Sequence, residues 1–209
     1  MSEALEKARE LGRILEEAEG NTQNAVAVAD DMVQLSTFEP GEVFKIGEHD
    51  FVVLEQKVQV SQTVVISKGF MAENVFDADC RDYNESSLKE LIETDIQPII
   101  EAGVGADNLI EHEVDLTSVD MQNEFGSCTC KVRLITFDEA RKYNNLIVNK
   151  ELKDWWWTCT PWSTKERGWK YSIAVVSSSG NFDGGDCGYD CGVRPVCILK
   201  SNIFVSKGE

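Results

Sequence analysis

The chain has 209 residues, 42% of them apolar, enough for one good-sized domain plus an appendage. Its formal charge of -17 repels phosphate backbones and anionic lipid surfaces, which argues against nucleic acid and membranes as partners, and no apolar run reaches the length that spans a bilayer. Seven cysteines, an odd number, and the lack of a basic stretch followed by an apolar one at the N-terminus point to reduced thiols in a cytoplasmic or virion setting, with no signal peptide.

Residues 1–37 are predicted as helix. Ala4, Ala8, Leu11, Leu15 and Ala18 follow the 4-3-4-3 spacing of a coiled-coil seam. The phase continues through Thr22, Ala25, Ala29 and Met32, with Gly20-Asn21 as a break, and Ser2 suits an N-cap. Two readings stay open: a stalk that makes a homo-oligomer or anchors a larger assembly, or an amphipathic helix folded onto the domain. Glu39-Pro40-Gly41-Glu42 is a turn, and residues 38–209 are taken as the domain.

Within the domain, Val43–Ile46 and Phe51–Gln56 read as a hairpin around Gly47-Glu48-His49-Asp50, with further strands at Val58–Val60 and Thr63–Ser67. His49 is a solvated turn residue. A helix is predicted over 86–101, with Leu88, Leu91, Ile92 and Ile96 as its apolar stripe and Asn84–Ser86 as caps. Pro98 interrupts it or starts a second helix at Ile99. The loop Gly103-Val104-Gly105-Ala106-Asp107 lacks the Lys-Ser/Thr of a phosphate-binding loop. Ile110–Leu116 reads as extended; Glu111 and Glu113 flank His112 but face away from it, so no metal site is expected there. Lys131–Phe137 is a predicted strand, followed by a short helix with Asp138 near its start.

The stretch from Trp155 to Leu199 organises the rest. Its opening, Trp155-Trp156-Trp157-Thr158-Cys159-Thr160-Pro161, cannot face one side of a strand, because side chains alternate. Each buried Trp is worth roughly 4–6 kcal/mol as an upper estimate. Its close, Gly192-Val193-Arg194-Pro195-Val196-Cys197-Ile198-Leu199, is apolar enough for a central strand, with Pro195 marking a strand start or an edge. Arg194 is expected to be partly buried on loop carbonyls or a carboxylate. Trp155, Trp157, Arg194 and Pro195 are therefore assigned structural roles. Between the two ends come Trp162, Trp169, a strand at Tyr171–Val176, and an acidic, Gly-rich loop, Asn181–Asp190. Hard oxygen ligands make calcium the alternative reading of Asp183, Asp186 and Asp190, whose spacing does not match an EF-hand. Neither Cys128-Thr129-Cys130 nor Cys187…Cys191 has zinc-ribbon spacing, so no metal is assigned. Cys187 and Cys191 are the first candidates for pairing under oxidation.

These segments resemble an uncharacterised domain family of Gram-positive bacteria and their phages. That family has a Trp-Trp-Leu-Arg-Ser/Thr-Pro motif, a Val-x-x-x-Gly turn and a terminal Gly-Val-Arg-Pro strand. Residues 155–161, Val176–Gly180 and Gly192–Pro195 stand in those places, with Thr158-Cys159 where the family has Leu-Arg. Upstream, Gly41–Glu55, Asn84–Leu91 and Val132–Ala140 resemble its hairpin, helix and strand-to-helix segments, so the likeness runs from about Phe38 to the C-terminus. The family is similar to C-type lectin-like folds, which include sulfatase-modifying enzymes and phage receptor-binding domains. The resemblance implies an α+β, C-type lectin-like domain of mostly antiparallel short strands with one or two helices, preceded by the N-terminal helix.

No nucleophile–base pair is visible, and the chain is read as no enzyme. The expected function is a non-enzymatic ligand-binding or surface-display module. It would be a phage or prophage decoration or receptor-binding protein that meets a host surface glycan or protein. Trp156, Trp162, Trp169, Phe182, Asp183, Asp186, Tyr189 and Asp190 are the candidate ligand-binding residues, since aromatic and Asp side chains on loops over a rigid scaffold suit adaptable recognition. The alternatives are a purely structural virion protein and an oxidase like the formylglycine-generating enzymes, using Cys187 and Cys191. No cofactor is assigned.

Overall fold

Alternation of apolar and polar residues sets the first hairpin in the computed structural model, which describes residues 32–208. The chain divides into two compact units, Met1–Val33 and Gln34–Glu209. The helix expected over residues 1–37 falls almost wholly outside the described residues. Its described end is a short strand, β1 (Met32–Gln34), and a 3-10 turn at Leu35–Thr37.

β2 (Val43–Ile46) buries Phe44 and Ile46 and pairs with the longer β3 (His49–Lys57). Gly47 makes the tight turn between them with φ at 59°. A 3-10 turn, Val58–Val60, leads into β4 (Gln62–Ser67), then β5 (Ala72–Val75). Val58 and Val60, expected as a strand, are exposed in that turn.

The longest helical run follows. Ser86 caps α1 (Ser87–Leu91) by accepting from the Lys89 N–H. A π-helical turn at Ile92–Ile96 joins α1 to α2 (Gln97–Val104), which carries Pro98 in its first turn. Leu88, Ile92, Ile96 and Ile100 are all buried. A four-residue repeat drifts about 40° per step around a 3.6-residue helix. The wide π turn takes up that drift and also accommodates Pro98, which has no N–H to donate.

β6 (His112–Asp115) and β7 (Ser127–Cys130) form a two-stranded ribbon. β8 (Val132–Leu134) leads to α3 (Phe137–Lys142), whose capping box joins Thr136 and Glu139, and to a single turn, α4 (Asn144–Ile147). The last part of the chain supplies β9 (Trp156–Pro161), β10 (Ser172–Val176), β11 (Phe182–Asp186), β12 (Asp190–Val193), β13 (Pro195–Lys200) and β14 (Phe204–Lys207).

Within the larger unit the first sheet runs β14-β2-β3-β4-β13-β8, and the second runs β11-β10-β9-β12-β5. The run Val193–Leu199, read as one strand, is divided between the two sheets. Gly192 and Val193 pair with Glu73 and Ala72 in the second, and Pro195 starts β13 opposite Leu134 in the first. Arg194 is the residue at which the chain changes sheets. The core between them holds Val52, Leu54, Val64, Ile66, Val196 and Ile198 against Trp156 and Val176, closed by Ala140, Tyr143 and Ile147.

The α+β, C-type lectin-like expectation is therefore overturned: the described chain is mostly β, with fourteen strands in three sheets and one long helical run. The strands that sequence reading lost are short and polar. β5, β7, β11 and β12 carry Glu, Asn, Ser, Asp and Gly, so apolar alternation does not reveal them.

Candidate ligand-binding groove

β9 is buried on both faces, so two of its tryptophans sit in different layers. Trp156 packs in the inter-sheet core, and the Arg194 guanidinium lies 4.6 Å over its ring. Trp157 faces the other way, 5.6 Å from Phe76, and its Nε1 donates to the Asn74 carbonyl. Arg194 is 1% exposed and donates from Nε to the Ser67 carbonyl (3.0 Å) and from Nη1 to the Ile147 carbonyl (2.8 Å). Burial pulls its pKa down to about 9, and it remains a cation at neutral pH. Thr158 closes the bulge in the β9–β10 pairing, its Oγ1 donating to the Ala174 carbonyl at 2.7 Å. Cys159 beside it is fully buried, with Sγ directed to the Ile135 carbonyl.

This rigid strand pair supports a surface groove of about 240 Å³. Its floor is Val175, Gly184, Gly185 and Cys191, and its walls are Trp155, Tyr189 and three carboxylates, Asp154, Asp183 and Asp190. Gly185 is required by close approach: a Cβ there would meet Val175 Cγ1 at 2.9 Å and the Trp157 ring at 3.3 Å. β11 is an edge strand, and Asp183 covers it by accepting from the Gly184 N–H (2.8 Å). Asp154 accepts from the Trp155 N–H (2.7 Å) in the same way, so each keeps its second oxygen for other donors. Among the described residues none of the three carboxylates is ion-paired. The Cys191 thiol is pushed up to about 12, first by burial and then by Asp154 and Asp190, so it stays protonated.

The eight candidate residues are dispersed. Asp183, Tyr189 and Asp190 meet in the groove. Trp156 is fully buried and offers no surface to a ligand, which corrects its assignment. Asp186 accepts from the Gly188 N–H and shapes the turn. Trp162, Trp169 and Phe182 lie elsewhere. Trp162 packs on Gly184 and stands 6.2 Å from Trp169, while Phe182 packs edge-on to Phe137 at 4.9 Å. Asp183, Asp186 and Asp190 do not gather, and no metal-holding group of His, Cys, Asp and Glu exists among the described residues. Sequence reasoning missed Asp154 and gave Trp155 only a structural role. The signal available was an Asp immediately before a half-exposed strand end.

A second cleft, about 370 Å³, lies between β6 and α3. Its two arginines are already paired with carboxylates. Arg133 is bidentate to Glu139 (2.6 and 2.6 Å), and its Nε donates to His112 Nε2 at 2.8 Å. Arg141 faces Asp138 at 3.6 Å, and Glu113 accepts from Ser127. A neighbouring loop is fixed by Asp120, which accepts from Ser118, Ser163 and Arg167 and is lowered to about 2 by those bonds, Ser118 first. All seven cysteines are free thiols, six of them buried.

Residues 109–201 match the family described as Domain of unknown function (DUF6273). That is less than half of the 209-residue chain, and it includes both Trp155–Pro161 and Gly192–Pro195. The hairpin at 41–55 and the helix near 84–91, included in the resemblance drawn from sequence, lie outside the matched residues. The matched segment does not close its own sheets: β13 pairs with β4 and β12 with β5, both upstream of it. No curated protein and no solved structure matches the chain. No helix among the described residues is long and apolar enough to cross a membrane.

Proposed function

We propose that the larger unit is a non-enzymatic recognition module and that the groove on β11 and β12 is its ligand site. The observation that carries this is the meeting of half-exposed Trp155 and exposed Tyr189 with three unpaired carboxylates over a floor of Val175, Gly184, Gly185 and Cys191. Aromatic faces stack on apolar ring faces, and carboxylates accept from hydroxyl and amine donors. Neither needs to move, because β9, β10 and β12 hold the floor from below. The thiol lining the groove is kept protonated, which favours binding over thiolate chemistry. A phage or prophage particle surface, where such a module would meet a host glycan or protein, is the setting we assign to it.

The test is binding of the full chain to a panel of glycans, read against Trp155→Ala and Tyr189→Ala. Ligand capture that both substitutions abolish, with unchanged melting temperature, supports the reading. If nothing on the panel binds, or if binding survives both substitutions, the groove is not the site and a structural role in a particle takes its place.

A further inference from the structure

We propose that the groove recognises the ammonium group of an organic cation, an inference that rests on the reading of the groove as a ligand site. Its lining contains Asp154, Asp183 and Asp190 and no Lys, Arg or His. All three carboxylates are exposed, and none has an ion-pair partner among the described residues. Like charges collected in one concavity repel one another, and a cationic ligand relieves that repulsion where a neutral one does not.

Two features separate an organic cation from a metal ion. The carboxylates are spread along a groove of about 240 Å³ and do not converge into a cage. Metal coordination requires several oxygens at one point, about 2.3–2.6 Å away for calcium. The walls also carry Trp155 and Tyr189, whose ring faces attract an ammonium and add nothing to a bare, strongly hydrated divalent ion. A separate observation is Cys191. It is nine-tenths buried, lines the floor, and has no hydrogen-bond partner for its thiol among the described residues. A neutral thiol between Asp154 and Asp190 is a weak acceptor with no donor, and an ammonium N–H supplies one. A primary ammonium has three donors. The free oxygen of Asp154 or of Asp183 can accept from it, the other carboxylates of the groove add to the attractive field, and its carbon stem lies against Tyr189.

Such an ammonium could be carried by an amino sugar or by a lysine side chain. Isothermal titration of the full chain at mildly acid pH distinguishes them with two matched pairs: glucosamine against glucose, and Nα-acetyl-lysine amide against its Nε-acetylated form. Calcium chloride is a fifth titrant. The expected result is that the charged member of one pair binds at least about ten-fold more tightly than its neutral counterpart. Asp154→Asn and Asp190→Asn should each weaken it by a similar factor without changing the melting temperature, and added salt should weaken it further. The pair that separates names the source. Equal binding of charged and neutral members overturns the ammonium proposal and leaves the recognition reading standing. Calcium that binds and displaces the charged titrant overturns it in favour of a metal site. No binding by any titrant overturns it as well, and the glycan panel then decides separately whether the groove binds anything.

Discussion

The guanidinium of Arg194 lies 4.6 Å over the indole of Trp156, so the residue that carries the chain from one sheet to the other is stacked on the largest side chain of the core between them. Its two backbone acceptors, Ser67 and Ile147, come from β4 and α4. One planar side chain thus ties a strand, a helical turn and an inter-sheet tryptophan. Lysine has a single flexible ammonium that cannot reach both carbonyls and cannot stack flat. Arg194→Lys should lower unfolding free energy by about 2 kcal/mol, measured by urea melts. The loss should appear as a lower midpoint with an unchanged slope.

Gly192 is fixed by Phe70. A Cβ at that position would stand 2.3 Å from two carbons of the Phe70 ring, closer than non-bonded carbons approach. Gly192→Ala is expected to cost about 3 kcal/mol through displaced packing. Phe70→Ala in the same chain opens the space, so the double variant should be more stable than the sum of the two single losses. Additive losses would show that Gly192 is constrained by something other than that ring.

Buried Arg133 and half-buried Glu139 form a bidentate pair, with Leu134 O also accepting from Arg133. Removing the carboxylate strands a buried cation, so Glu139→Ala should destabilise by about 3–5 kcal/mol. Burial alone would raise Glu139, but Arg133 outweighs it and holds the pKa below its usual 4.5. That contribution is present above about pH 4.5 and is lost as pH falls through the carboxylate's folded pKa.

His112 adds a second, separate pH dependence. Its Nε2 accepts from Arg133, so the ring is neutral with its proton on Nδ1, directed to the Ile110 carbonyl. Burial, then the charge of Arg133, lowers its pKa below 6.5, with the bond to the Ile110 carbonyl and then Glu139 opposing and Lys57 adding to the lowering. The unfolded chain therefore binds more protons than the folded one below pH 6.5, and stability declines as pH falls from there to the depressed folded pKa. Urea midpoints at pH 7.5 and pH 5.5 should differ in the native chain, and His112→Gln should remove most of that difference.

The strands with strong alternation were legible in sequence. Val43–Ile46 is β2 with the same limits, and the helix capped near Ser86 begins one residue later. Trp155–Pro161 and Gly192–Pro195 were recognised as belonging together, and β9 and β12 run side by side with Gly192 opposite Trp156. The change of sheet at Arg194 was not legible. Gly192–Leu199 is uniformly apolar apart from Arg194, and nothing in that pattern says that its halves pair with different partners. The candidate site was legible in part. Asp183, Tyr189 and Asp190 are close in sequence, on β11, the turn after it and the start of β12, and were found together, whereas Asp154 is brought to them only by the β9–β12 pairing. Trp156 was misplaced because a tryptophan between two others on a strand is exposed only if one face of the sheet is open. Here both are covered.

The central claim, that the groove over β11 and β12 is the recognition surface, is tested most directly by amide chemical-shift mapping during titration with a ligand of the full chain. The account predicts perturbations at Gly184, Gly185 and Cys191 and at the indole N–H of Trp155, with the Glu113–Ser118 side of the second cleft unchanged. Perturbations confined to that cleft, or to the Trp162–Trp169 surface, with the groove silent, would contradict it.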